Sequence, residues 1–160
     1  MEEHPDEPMD STDLVEKSEF QTVYENRARF AETDPQGIVF YGEYFTFQDE
    51  AVMAFMREMD YSYNHMLENG WQNHVVNSEL NYCAGAEFGD VICNDVRVTE
   101  FGFASFTVEY RARRASDDEV LAEGTVTHVA VDLETGDPTR IPDAFRDAVV
   151  TFQSSLESTE

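Results

Sequence analysis

The stretch from Gly42 to Met59 constrains the fold more than any other. Phe45, Gln48, Val52, Phe55, Met56 and Met59 recur at steps of three and four residues, and Phe47 and Ala51 widen the stripe. That spacing predicts an amphipathic helix with a broad, bulky apolar face. Such a face needs a sheet to cover it, and the rest of the chain reads mainly as strands. Before the helix, Phe20, Tyr24, Ala28 and Phe30 fall on one side of a half-buried strand, with Gln21, Glu25, Arg27 and Arg29 on the other. After a loop near 61–73, strands are expected at His74–Tyr82, Val91–Val98, Phe103–Arg111 and Glu119–Leu133. Gly124 suggests a bulge or bend in the last of these. A turn at Glu134–Pro138 then leads to a closing helix from Ile141-Pro142 to about Phe152. One strand, one long helix and a four-strand meander make an α+β fold with a mainly antiparallel sheet of about five strands, not a doubly wound parallel sheet.

With 160 residues and 41% apolar residues, a single domain is expected over residues 19–156, preceded by a flexible acidic tail at 1–18. The net charge is −24, from 34 acidic residues against nine Arg and one Lys (Lys17). That balance disfavours a nucleic-acid partner, whose phosphates require clustered Lys and Arg. Acidic residues recur along the whole chain and read as a solvated coat adapted to a salty, halophilic cytoplasm. At about 1 M salt the Debye length shrinks to ~3 Å and such self-repulsion becomes tolerable. No apolar run approaches a membrane span, and the first residues lack a secretory pattern, so a cytoplasmic protein without a membrane partner is expected. Cys83 and Cys93 have no metal-ligand spacing and read as buried or partly buried free thiols. His4, His65, His74 and His128 are scattered, so no metal is expected.

The segment "ETDPQGIVFY" (32–41) places a carboxylate, a proline and a glycine just ahead of the helix. Asp-Pro-x-Gly is an ordinary turn sequence, with Asp accepting backbone hydrogen bonds and Gly tolerating positive φ. The same residues also raise the question whether Asp34 is held at the helix entrance to do chemistry. A carboxylate can act as general base or nucleophile, and a backbone N–H at a helix N-terminus can polarise a carbonyl. Gly37 would let a ligand approach the backbone closely.

"TDPQGIVFYGEYFTFQDEAV" (33–52) resembles the signature of the 4-hydroxybenzoyl-CoA thioesterase family, a branch of the hotdog-fold acyl-CoA thioesterases. The likeness continues through "LNYCAGAEFGDVI" (80–92), "FGFASFTVEYRARR" (101–114) and "GTVTHVAVDLETGDPTRIP" (124–142). It implies a sheet wrapped around one central helix, a homodimer or homotetramer, an acyl-CoA substrate, and no metal or redox cofactor. It also implies Asp34 as the catalytic carboxylate and the N–H of Tyr41 as the donor to the thioester carbonyl.

Asp49 lies where the family borders its acyl pocket, and it could orient substrate; with Glu50 it could equally belong to the solvated side. Asn77 and Ser78 could line the pocket from the neighbouring strand, and alternation alone does not say which faces it. Arg111, Arg113 and Arg114 are the densest basic cluster, suited either to CoA phosphates or to neutralising nearby acids. The 4-hydroxybenzoyl-CoA enzymes carry basic residues near the turn that here reads Phe101-Gly102-Phe103, a departure from the family. His65, His74 and Cys83 read as packing or surface residues. Two alternatives share the fold. A hydroxyacyl-thioester dehydratase would want a histidine beside the helix start, and 31–41 has none. A non-catalytic acyl-CoA-binding module would be expected to append a DNA-binding segment, and 1–18 is short and acidic.

Overall fold

The computed structural model describes residues 19–158; the expected acidic tail, 1–18, lies outside them. Strands β1 (Gln21–Arg27), β2 (Trp71–Tyr82), β3 (Val91–Phe101), β4 (Ser105–Arg114) and β5 (Val120–Asp132) form one sheet in the order β1-β3-β4-β5-β2. Every pairing is antiparallel. The long helix α1 (Glu43–Glu58) joins β1 to β2, the two strands at opposite edges. It must therefore cross the inner face of the sheet, as the α+β reading requires. A short helix α2 (Tyr63–Glu68) follows it, and α3 (Asp143–Ser158) closes the chain.

Alternation along β4 shows how the sheet receives the helix. Phe106, Val108, Tyr110 and Ala112 are buried, while the residues between them are half-exposed. Phe47, Ala51, Val52, Phe55 and Met56 of α1 join the same core. At roughly 25 cal/mol per Å² of apolar area removed from water, these bulky side chains are the main reason the helix stays on the sheet. Phe45, expected in the stripe, is instead 40% exposed, and Tyr44 and Ala54 are buried. The buried face is rotated towards the helix start, where Tyr44 packs edge-on against Phe47 and Tyr82.

Several other expectations change. Phe30 is not on the buried side of β1; it lies in a 3-10 turn (Phe30–Glu32), is 75% exposed, and meets Phe88 edge to face. The expected loop at 61–73 contains α2 and the start of β2. Helix α2 opens with a reciprocal cap: the Ser62 N–H donates to His65 Nδ1 at 2.9 Å, and the His65 N–H donates to Ser62 Oγ at 3.4 Å. The usual signature has Glu or Gln at the third position, so histidine conceals it. Strand β4 begins at Ser105 rather than Phe103, after a tight turn closed by Gly102 N–H to Ser105 O at 2.8 Å. Gly124 marks no bulge, since Glu79, Leu80 and Asn81 pair in unbroken register with Thr125, Gly124 and Glu123. A Cβ there would sit 1.9 Å from the Glu79 carbonyl oxygen, so Gly124 serves a close approach of strands. The bulge of β2 lies between Val75 and Asn77. Helix α3 runs to Ser158, beyond the expected end near Phe152. Its Gln153 accepts from Val98 N–H and donates to Val98 O, covering the part of β3 that outruns β1.

Candidate active site

The residues ahead of α1 form a small hairpin. Asp34 N–H donates to Ile38 O at 2.9 Å, Gly37 N–H to Asp34 O at 2.8 Å, and Phe40 N–H to Glu32 O at 2.8 Å. Asp34 Oδ1 accepts from Gln36 N–H at 2.9 Å, which orients the carboxylate and leaves Oδ2 for other partners. Gly37 has φ +84, a conformation that β-carbons disfavour, and a side chain there would meet only open space. The hairpin is tied to the loop after β2 by Val39 N–H to Ala86 O at 2.8 Å. Val39 is itself buried, so the turn is anchored on one side and open on the other.

The chain then passes into α1 through bonds from Glu43, Tyr44 and Phe45 N–H to the carbonyls of Phe40, Tyr41 and Gly42. No acceptor among the described residues takes the Tyr41 N–H, so a free donor stands at the positive end of the helix dipole. Tyr82 of β2 reaches across: its hydroxyl donates to Tyr41 O at 3.2 Å, and its ring lies 5.9 Å from that of Tyr41. A Cβ at Gly42 would come within 2.7 Å of the Phe40 ring, which is 44% exposed and would have to turn aside.

Beside α1 a cleft opens in two adjoining lobes of about 210 and 200 Å³ that share Asp49, Val52, Val75 and His128. Phe45, Gln48, Ser78 and Val126 complete one lobe, and Met53, Met56, Tyr63 and Asn73 the other. Asp49 thus borders the cleft rather than the solvated side alone. Its carboxyl is pushed up by desolvation against the cleft wall, and the neighbouring Glu50 adds to the rise. Ser78 faces the cleft and donates to Gln48 Oε1 at 2.8 Å. Asn77 points the other way, with its amide on Glu79 Oε2 at 3.2 Å, so only one of the two strand candidates reaches the cleft. Asp34, Gly37 and Tyr41 line neither lobe: within one chain, the turn and the cleft are separate.

Sequence reading passed over His128, which is 2% exposed and stacks on Phe106 at 4.9 Å between centroids. Burial pushes its imidazole down to about 4, so the ring is neutral. It also gave Tyr82 no role. His65 caps α2, His74 is exposed, Cys83 is exposed rather than buried, and Cys93 is buried beside Glu25. Among the described residues no group of His, Cys, Asp and Glu could hold a metal, and no helix is long and apolar enough to cross a membrane.

The arginine cluster is bound up in ion pairs. Arg111 and Arg113 both grip Asp95 Oδ2, at 2.9 and 2.7 Å, and Thr22 Oγ1 donates to Asp95 Oδ1 at 2.6 Å. Arg113 also meets Asp118 at 2.7 Å. Arg114 pairs with Asp90, Asp117 and Glu119 and donates to Gly85 O at 2.7 Å. The geometry favours the neutralising role over phosphate binding for all three.

A family profile described as "Thioesterase-like superfamily" matches residues 28–149. A putative esterase of Aquifex aeolicus is 28% identical over 109 residues, covering 68% of this chain and 84% of that protein. The acyl-CoA thioesterase YbgC of Haemophilus influenzae is 26% identical over 117 residues, covering 72% of this chain and 85% of that one. The crystal structure of a hypothetical protein from Thermus thermophilus superposes with a TM-score of 0.75 at 27% identity, covering 82% of this chain and 98% of that one.

Proposed function

The chain belongs to the thioesterase-like superfamily, and from that premise we propose an acyl-CoA thioesterase that hydrolyses an acyl-CoA to the free acid and CoA. Its thioester-hydrolase class and its hotdog fold follow from the relatives and the structural neighbours. One observation carries the mechanistic reading: the Asp34 hairpin runs straight into a helix whose Tyr41 N–H has no described acceptor. In this reading the Tyr41 N–H binds the thioester carbonyl oxygen and stabilises the charge that grows there. A preorganised donor of that kind is worth roughly 3 kcal/mol in the barrier. Asp34 Oδ2 supplies the oxygen chemistry, either by taking a proton from an attacking water or by attacking the carbonyl carbon itself. In both routes the C–S bond breaks and the CoA sulfur leaves as a thiolate that then takes a proton. The water route gives the free acid directly, whereas the nucleophilic route leaves a mixed anhydride on Asp34 that a water must hydrolyse to the free acid, restoring the carboxylate. Gly37 keeps the approach to the carbonyl open. No metal or redox group is needed for these steps.

A homodimer is part of the proposal. Strand β2 pairs with β5 on one side, its other edge is unpaired among the described residues, and Val75 and Val76 are 50% and 60% exposed. A second copy on this edge would extend the sheet, cover those side chains, and set the turn of one chain beside the cleft of the other. The domain is taken as 19–156, working in the cytoplasm where acyl-CoA is found.

The test is release of free thiol from a panel of acyl-CoAs in high salt. Wild type is expected to turn over, and Asp34→Asn to lose at least about a hundredfold in kcat, the scale of a lost general base or nucleophile. Full activity in Asp34→Asn would overturn the assignment.

A further inference from the structure

We infer that Glu32 is a positioning residue for the proposed hydrolysis: its carboxylate clips the chain at Arg29 and so holds Asp34 and the Tyr41 N–H, on the two arms of the hairpin, at one fixed spacing. The inference rests on the thioesterase reading and adds to it the residue that sets the geometry of the reacting groups.

The acids of this chain coat its surface, yet among the described residues two are buried, Asp95 and Glu32. Asp95 is accounted for by its two arginines. Glu32 is 7% exposed and stands two residues before Asp34. Taking a carboxylate out of water is costly unless its oxygens find donors. Glu32 Oε1 accepts from Arg29 N–H at 2.8 Å, and Oε2 meets Arg29 Nε and Nη2 at 3.1 and 3.0 Å. The Glu32 N–H donates in return to Arg29 O at 2.9 Å. Reciprocal bonds thus close residues 29–32 into a rigid turn. Thr33 tightens it further, since its N–H and its hydroxyl both donate to Phe30 O, at 3.0 and 2.7 Å.

Both arms of the hairpin leave from this turn. The Glu32 carbonyl accepts from Phe40 N–H at 2.8 Å, and Thr33 bridges to Val39. Along one arm, Asp34 follows Glu32 by two residues. On the other, the Tyr41 N–H belongs to the peptide that begins at Phe40. A turn of the Glu32 peptide would therefore shift both groups relative to one thioester carbonyl. A misplacement of ~1 Å between reacting groups can cost about a hundredfold in rate. The Arg29 guanidinium is the lesser part of the clip: its side chain is 73% exposed, so the ion pair is screened by water and salt. The bond from Arg29 N–H is what fixes the turn.

The experiment compares Glu32→Gln with Glu32→Met. Both remove the charge at similar length, and only glutamine keeps an acceptor for Arg29 N–H, as it does in other reciprocal caps. In thiol release, Glu32→Met is expected to lose about ten- to thirtyfold in kcat with KM within about twofold, and Glu32→Gln to stay within about threefold of wild type. Hydrogen exchange of the Arg29 and Phe40 amides should quicken by about tenfold or more in Glu32→Met, while the amides of β4 are unaffected. In an Asp34→Asn background, Glu32→Met should cost less than it does in wild type, because one of the two groups it places has gone. Lost stability alone would not produce that coupling. Equal losses in the two variants overturn the inference, as do a KM that rises while kcat holds and losses that multiply in full. If Glu32→Met does not fold, Glu32→Ala is read in the same way. If neither folds, exchange in wild type decides: an Arg29 amide as fast as an exposed loop amide overturns the clip, and joint protection of Arg29 and Phe40 upholds it. If no acyl-CoA releases thiol, the thioesterase reading fails separately, and the exchange comparison decides whether Glu32 holds the hairpin.

Discussion

Arg114 Nη2 donates to the Gly85 carbonyl at 2.7 Å, so an arginine at the end of β4 holds the loop on which the Asp34 hairpin rests. The connection continues through two further contacts. A Cβ at Gly85 would stand 3.0 Å from the Ile38 side chain, and Val39 N–H donates to Ala86 O at 2.8 Å. The same guanidinium is fixed by Asp90, Asp117 and Glu119. Its position between carboxylates favours a geometric role over binding of a ligand phosphate.

Arg114→Ala is expected to lower kcat several-fold with little change in KM, because it loosens the placement of the turn without touching the cleft. It should also lower Tm by about 3 °C, the scale of roughly one hydrogen bond in a domain of this size. Lysine should not restore kcat, since a single ammonium cannot span the carbonyl and the flanking carboxylates at once. Steady-state kinetics beside a thermal melt check both halves. A change in KM with kcat intact would return Arg114 to a binding role.

Asp95 gives a pH prediction. Burial alone would raise its carboxyl, but hydrogen bonds from Arg113, Thr22 and Arg111 outweigh burial and hold it below the usual carboxylate range. Because the folded form is the more acidic, its stabilisation is complete above the unfolded value of about 4 and is lost as pH falls through the folded one. Asp95→Asn leaves two arginines without their carboxylate and is expected to cost about 3 kcal/mol at pH 7. Denaturant titrations should show the gap between wild type and variant narrowing below about pH 4. A gap that is constant with pH would show that the carboxylate charge is not what the clamp uses.

Period and order made much of this fold readable. The three- and four-residue steps of α1, the five alternating runs and the Asp34 turn depend on neighbours in the chain, and all appear where expected to within a few residues. What escaped reading depends on contacts distant in sequence. The choice between Asn77 and Ser78 turned on a bulge at Val75/Asn77, which shifts alternation by one and has no residue signature. The role of Arg111 and Arg113 depends on Asp95 arriving opposite them through the β3–β4 register. His128 reads as a lone histidine until β2 brings Asn73 to one side of it and α1 closes the other.

The surface charge gives a prediction that involves no single contact. With a net charge of −24, self-repulsion opposes the compact state at low ionic strength, where the Debye length is roughly 10 Å at 0.1 M salt and about 3 Å at 1 M. Tm is expected to rise steadily as KCl is raised from about 0.1 to 2 M, by ten degrees or so, and sucrose at matched viscosity should not reproduce the slope. The buried Asp95 clamp, with its carboxylate 1% exposed, should contribute little to that rise, so Asp95→Asn should melt lower at every salt concentration with a similar slope. A flat or falling salt dependence would remove the case for adaptation to a salty medium.

Tyr82 tests whether the helix start must be held to work. Its hydroxyl donates to Tyr41 O at 3.2 Å, while its ring packs edge-on to Tyr41 and Tyr44, both with centroids 5.9 Å away. Tyr82→Phe keeps the ring contacts and removes the side-chain hydrogen bond to Tyr41 O, leaving that carbonyl, among the described residues, only the Tyr44 N–H at 3.3 Å. If the Tyr41 N–H stabilises the transition state, an error in its aim should fall on kcat, because substrate binding spreads over the whole cleft while the oxyanion depends on one donor. The expectation is a three- to tenfold loss in kcat at nearly constant KM, with Tm almost unchanged, since a partly exposed hydroxyl regains water as its partner. Tyr82→Leu, which removes the ring as well, should lose more in kcat and in Tm. Equal kcat in wild type and Tyr82→Phe would mean that the peptide at Tyr41 is fixed by the helix itself and that Tyr82 only fills space.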